Sequence, residues 1–482
     1  MKKYLIILII LSIGYSERGD LVSVNFQASR NITNNQSYID NELSSIVQSQ
    51  FALEPVEYGV TMYKISYETI DANGNYHIAT GSVAYPRVDW PDIPDQGFPM
   101  ISYQHGTVVE KSSVTSQTGL WILPAYLAGR GYVYIEPDYL GLGESEGRHP
   151  YQIKEPYGTA VVDLLRAIKN YNMENDDFEL NEQLFLVGYS EGGYATMAAH
   201  QIIERDYSDE FEVTVSFPMA GAYSMSDIMV DVMLDFQPYG EPYYFPYVLF
   251  SYLENYPSIG VSEQFILPEY LFLEDLFDGY HSSTEINDLM PSIPAEIMIP
   301  EEITAFQNNF SHPLKEALRE NDIIEWIPQS PIYIFHGIAD ELVPYENSQM
   351  AYDYFVSNNV ANIYLELLPE SYGGHQDAAP WALLGAFNFA EQYKIIDCLS
   401  YIDCEGVCGG NAEIDICGDC NGNNEGCILG DINLDDTLDV LDVVLLTVLI
   451  FDNSFNLLAD LNSDNTISIF DIIMLIEVIM SS

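Results

Sequence analysis

The chain is short of positive charge. Lys and Arg number 16 against 73 Asp and Glu, a formal net charge of −57 over 482 residues. A surface of that sign is repelled by nucleic acid and by anionic membranes, so neither is expected as a partner. The acidity suits a heavily solvated surface, salty surroundings or calcium binding. Cysteine is missing from the first 397 residues; all six (Cys398, Cys404, Cys408, Cys417, Cys420 and Cys427) come afterwards. Catalysis in the large N-terminal region therefore cannot depend on a thiol. No apolar run approaches the ~20 residues of a membrane-spanning helix. Hydrophobic residues still make up 48% of the chain, enough to bury a large core and to exclude global disorder.

The first 16 residues have the pattern of an export signal. Lys2 and Lys3 precede a short apolar run over 4–13, and Gly14, Tyr15 and Ser16 form an imperfect cleavage region. The expected location is therefore secreted or at the cell surface, where cysteines form disulfides. An uncleaved anchor is the alternative.

Residues 17–50 are polar and read as a loose lead-in. Beyond them, 58–70 and 76–85 alternate like strands around an Asn-Gly turn, a hairpin signature. Strands are then expected at 100–104, 132–136, 184–188, 213–217, 331–336 and 363–367. Helical patterns fall at 157–171 and 191–205. Alternating β and α elements imply an α/β fold with a mostly parallel sheet and helices on both faces. Residues 222–329 break the rhythm with many aromatics and prolines. They are too long for an ordinary loop and read as an inserted lid or cap.

Gly188-Tyr-Ser190-Glu-Gly192 is a G-x-S-x-G motif between an apolar strand and a helix rich in small residues. A sharp strand-to-helix turn of this kind exposes a serine as a nucleophile. Serine needs a base, and in this arrangement the acid and then the histidine follow it in the chain. Of eight histidines, His375 alone follows the last expected strand. Asp340, just after strand 331–336, is the expected acid, with Glu341 its local rival. The expected oxyanion-hole donors are the backbone N–H groups of Glu191 and of Thr107 in Gln104-His-Gly-Thr107. His105 is expected to be structural. Catalysis needs no cofactor on this reading.

Gln104-His-Gly-Thr107, Pro137-Asp-Tyr-Leu-Gly-Leu-Gly143 with His149-Pro-Tyr151, and Gly188-Tyr-Ser-Glu-Gly-Gly193 together resemble the secretory-lipase branch of the α/β-hydrolases. The likeness covers roughly residues 55–395. It implies carboxylic ester hydrolysis through Ser190, Asp340 and His375, with a cap in the insertion. The aromatic insertion suggests a substrate with an apolar acyl or aromatic part. Two other classes stand beside this one. A peptidase of the prolyl-oligopeptidase type would need a β-propeller, for which 17–55 leave no room. A non-enzymatic surface-binding protein would be expected to lose the triad, which is intact.

The tail changes character. Residues 396–428 form a Gly-, Asn- and Cys-rich linker, expected to be disulfide-bonded; zinc at Cys417 and Cys420 is the runner-up. Residues 429–482 hold a repeat. Asp431, Asn433, Asp435, Thr437, Asp439 and Asp442 occupy positions 1, 3, 5, 7, 9 and 12 of a calcium loop, and Asp460, Asn462, Asp464, Thr466, Ser468 and Asp471 repeat them. Asp436 and Asn465 replace the usual glycine, and Asp replaces Glu at position 12. The duplicated loops, each leading into an apolar helix, resemble a type I dockerin. That likeness implies a small all-α domain around two structural calcium ions, docking onto a cohesin-like partner. An acidic repeat that binds no metal is the alternative. The expected layout is a signal at 1–16, a catalytic domain at 17–395 with its insertion at 222–329, the linker at 396–428 and the dockerin-like domain at 429–482.

Overall fold

A computed structural model describes residues 18–43, 53–88, 96–175, 177–395, 397–398, 428–433, 435, 437–451, 456–462 and 466–481. The expected signal, nearly all of the cysteine-rich linker and Asp464 lie outside these residues. The chain divides into two compact units, 1–396 and 397–482. Among the described residues, no helix is long and apolar enough to cross a membrane.

In order, the first unit contains β1 (Leu21–Arg30), α1 (Ile32–Leu43), β2 (Gly59–Ile70), β3 (Tyr76–Arg87), β4 (Gln96–Gln104), α2 (Thr115–Thr118), α3 (Ile122–Gly129), β5 (Val133–Pro137) and α4 (Lys154–Asn175). It continues with β6 (Leu180–Tyr189), α5 (Glu191–Asp206), β7 (Val213–Met219), α6 (Ile228–Leu234), α7 (Tyr244–Asn255), α8 (Ser283–Asn287), α9 (Pro300–Asn308) and α10 (Pro313–Glu320). The last elements are β8 (Ile332–Gly337), α11 (Glu346–Ser357), β9 (Ile363–Leu368) and α12 (His375–Tyr393). Its nine strands pair in the order β1-β2-β3-β5-β4-β6-β7-β8-β9. The first three pairings are antiparallel and the remaining five parallel. This is the α/β-hydrolase arrangement, and β2 to β9 form where alternation or buried apolar runs placed them.

Alternating side chains of β5 show the layering. Val133 and Ile135 join the apolar cluster under α4 and α5, whereas Tyr134 joins the cluster under α3 and α12. The β2–β3 turn is held by Asp71, whose carboxylate accepts the backbone N–H groups of Asn73 and Asn75, both at 2.8 Å. Gly74 takes the left-handed φ of +80° that the turn needs.

The lead-in corrects the sequence reading. Residues 21–30 form edge strand β1, antiparallel to β2, and 32–43 form α1. Its polar composition suggested a loose segment because β1 is an edge strand with much of its length exposed. One buried contact fixes the helix: Asn35 Nδ2 donates to Ala125 O at 2.9 Å.

Residues 222–329 contribute no strand to the sheet. Their helices, with several short 3₁₀ turns, enclose an apolar interior that includes Phe250, Tyr252, Leu273 and Ile297, all essentially inaccessible. The insertion, between β7 and β8, thus packs into one apolar cluster with α5, β8 and α11.

The tail unit contains α13 (Val440–Phe451) and α14 (Ile469–Ser481). The two halves repeat in detail. Ile432 N and Asn433 N donate to Asp442 Oδ1, as Leu461 N and Asn462 N do to Asp471 Oδ1. Asp439 N and Ser468 N donate to the other oxygen of the same aspartates.

Candidate active site

Ser190 sits where β6 turns into α5, with φ +63° and ψ −124°. An L-residue holds this conformation only where the surroundings enforce it. Ser190 N donates to Met219 O at 2.9 Å, tying the turn to β7. Close packing completes it. A Cβ at Gly192 would lie 2.0 Å from Gln104 O, and one at Gly193 2.1 Å from Met219 O. The glycines of the motif are thus required by backbone approach from both neighbouring strands.

The turn presents Ser190 Oγ to His375, whose Nε2 lies 2.8 Å away. His375 begins α12 and is buried. Its Nδ1 is 2.6 Å from Asp340 Oδ2. The other oxygen, Asp340 Oδ1, accepts the backbone N–H groups of Leu342 at 3.0 Å and Val343 at 2.8 Å. Burial pushes the Asp340 carboxyl up, but hydrogen bonds to His336 and His375 outweigh it and hold it well below the usual carboxylate range. Glu341 does a different job: its Oε2 accepts the backbone N–H of His375 at 3.0 Å. The structure thus brings Ser190, His375 and Asp340 into one hydrogen-bonded chain.

Two clefts meet at Ser190. One runs under the insertion and is lined mainly by apolar side chains, among them Met225, Met229, Phe245 and Val248. The other is more open and is lined by Gly106, Thr107, Trp121, Glu136 and His375 among others. Thr107 follows β4, and its Oγ1 is 3.0 Å from Tyr151 Oη. Glu191 opens α5, where first-turn N–H groups lack intrahelical partners. His105 is buried and faces backbone: Nδ1 lies 2.8 Å from Gly106 O.

The sequence reading missed several residues around this centre. The Glu191 side chain is buried, with Oε1 at 2.8 Å from both His149 Nε2 and Tyr157 Oη. Tyr189 Oη donates to His375 O at 2.6 Å. His336 Nε2 approaches Asp340 Oδ2 at 3.2 Å. His149 belongs to the His149-Pro-Tyr151 motif and His336 lies only four residues before the acid, so position offered a signal for both. Burial pushes the Glu136 carboxyl up to about 6, against the opposing influence of His105 and hydrogen bonds from Thr115 and Tyr134.

In the tail, the carboxylates of Asp431, Asp442, Asp460 and Asp471 are buried, while Asp435 is exposed. Among the described residues, no group of three or more acidic, His or Cys side chains converges as a metal site. The hard oxygen donors are nevertheless of the type calcium takes.

Comparisons with known proteins bear on the fold and the class of reaction. The secretory lipase family matches residues 104–228 and 302–383, which include Ser190, Asp340 and His375. The rice cell wall degrading esterase LipA from Xanthomonas oryzae is similar over 78% of this chain and 98% of its own, at 26% identity and TM-score 0.68. A putative hydrolase from Legionella pneumophila is similar over 77% of this chain and 98% of its own, at 28% identity and TM-score 0.69. Candida antarctica lipase A shares the fold, at 17% identity and TM-score 0.57, over 78% of this chain and 82% of its own. No curated protein sequence matches the chain. The chain carries the α/β-hydrolase fold and is a lipase-like carboxylic ester hydrolase.

Proposed function

We propose that this is an exported serine esterase that works through an acyl-enzyme on Ser190. The observation that carries the reading is the hydrogen-bonded chain from Ser190 Oγ through His375 to Asp340 at the junction of two clefts. Ser190 Oγ attacks the ester carbonyl carbon and its proton passes to His375 Nε2. Asp340 holds the Nδ1–H tautomer and stabilises the imidazolium. The N–H groups of Glu191 and Thr107 receive the oxyanion. Collapse breaks the bond to the alcohol, which leaves with the proton from His375. Water then attacks the acyl-enzyme with His375 as base, and the acid departs as Ser190 recovers its proton.

The apolar cleft under the insertion takes the acyl or aromatic part, and the insertion acts as its lid. The open cleft takes the alcohol. A fluorophosphonate probe should label the wild type and not Ser190→Ala; equal labelling of both would overturn the assignment.

The tail is proposed as a dockerin-like module. Calcium would be held by Asp431, Asn433, Asp435, Thr437, Asp439 and Asp442, and by Asp460, Asn462, Asp464, Thr466, Ser468 and Asp471. It would contribute folding free energy by binding the folded tail alone. A cohesin-like protein is the proposed partner.

A further inference from the structure

The cleft under the insertion is mostly apolar; apart from Ser190 and the tyrosines Tyr151, Tyr239 and Tyr244, its polar lining residues are Gln152 and Glu191. Both are buried, with 4% and 2% of their surface exposed. Gln152 Oε1 and Glu191 Oε2 have no hydrogen-bond partner among the described residues. Each residue is otherwise firmly held. Glu191 Oε1 accepts from Tyr157 Oη at 2.8 Å. The same Tyr157 oxygen accepts the backbone N–H of Gln152 at 3.1 Å. Gln152 O accepts from Tyr252 Oη at 2.8 Å, and its φ of +59° is a conformation that contacts of this kind must maintain. One tyrosine hydroxyl therefore ties both residues into the same stretch of wall.

Buried oxygens without donors are costly, and an unbranched hydrocarbon chain in this cleft would leave both of them dry. A group that donates a hydrogen bond would remove the penalty. Neither oxygen is placed to act in the acyl-transfer steps, which use the Glu191 backbone N–H and not its carboxylate. We propose that this cleft selects an acyl group carrying a hydroxyl, which donates to Gln152 Oε1. The proposal rests on the serine-esterase reading above and names the substrate class of its acyl site. The hydroxyl could be phenolic or aliphatic, since both present the same donor to the same oxygen.

Matched methyl esters separate these cases. One set is 4-hydroxycinnamate, cinnamate and 4-methoxycinnamate; the other is 3-hydroxyoctanoate and octanoate. The leaving alcohol is constant, so kcat/KM reports the acyl site. A site that pairs a substrate hydroxyl discriminates against the analogue lacking it. The hydroxylated ester should exceed its parent at least about tenfold in one set. The methoxy ester, similar in shape but without the donor, should behave like cinnamate. Gln152→Met should bring the favoured ratio towards one. Ratios near one in both sets, from an enzyme that turns over the parent esters, would overturn the inference and leave the esterase reading standing. A favoured ratio unmoved in folded Gln152→Met would also overturn it, as would a methoxy ester as good as the phenol where the phenolic set is the favoured one. Should Gln152→Met fail to fold, the wild-type ratios decide. Hydrolysis of no ester at all would instead overturn the esterase reading beneath it.

Discussion

The hydrolase unit and the tail use the same residue types in opposite ways. In the hydrolase unit, three large apolar clusters fill both faces of the sheet and the insertion. In the tail, Leu446, Leu458, Ala459 and Leu475 are the buried apolar side chains among the described residues. Val440, Phe451, Ile469 and Met480 are more than 60% exposed there, while four aspartates are buried. Burial of apolar surface is the main favourable term in folding, and a short segment has little to bury. The hydrolase unit can therefore stand on its core. The tail, with acids inside and apolar residues outside, has far less apolar burial to stand on.

The largest expected effects lie at the nucleophile. Ser190→Ala should lower kcat by about 10⁶-fold. Asp340→Asn leaves the imidazole without its carboxylate and should cost about 10⁴-fold in kcat, with the fold retained. Near wild-type turnover in Asp340→Asn would mean that Glu341 or another acid orients His375. Stability should report the same carboxylate. Its folded pKa is depressed, so its contribution is present above the unfolded value of 3.8 and is lost as pH falls through the folded one.

Chelator sharpens the contrast between units. If calcium holds the tail, EDTA should lower the helical circular dichroism of segment 429–482, and Asp435→Ala should reproduce part of the loss. Ester hydrolysis by the full chain should persist in EDTA, because the triad involves no metal ligand. A tail whose spectrum ignores chelator would favour the acidic repeat that binds no metal. Hydrolysis lost together with tail helicity would break the comparison itself.

Much of the hydrolase unit was legible because its signals are local. Strands β5 to β9 are short apolar runs, and the turn at Ser190 is written in glycines that backbone contacts demand. Chain order singled out His375, and the structure brings its ring to Ser190. Order could not separate Asp340 from Glu341, because adjacent carboxylates differ only in where the backbone points them. The contacts do separate them: one meets the imidazole and the other a backbone N–H. Edge strand β1 was missed because half-exposed strands carry few apolar residues. The buried Glu191–His149–Tyr157 cluster was missed because Glu191 is more than 30 residues from the other two and meets them only through packing.

The smallest expected effect tests whether the hydrolase core tolerates its own buried acids. Glu136 lies on β5 with 1% of its surface exposed, and Tyr134 Oη donates to it at 2.6 Å. Burial raises its carboxyl from 4.5 to about 6, the reverse of Asp340. A raised folded value gives a contribution that is full below the unfolded pKa of 4.5 and is lost as pH rises through about 6. The wild type should thus forfeit about 2 kcal/mol from this group between pH 4 and pH 8. Glu136→Gln has no proton to lose, so it should gain on the wild type by about that amount as pH rises. Urea unfolding of the hydrolase unit at pH 4 and pH 8 measures the difference. Parallel changes in the two proteins would show that Glu136 ionises without penalty, and that the open cleft beside it solvates the carboxylate.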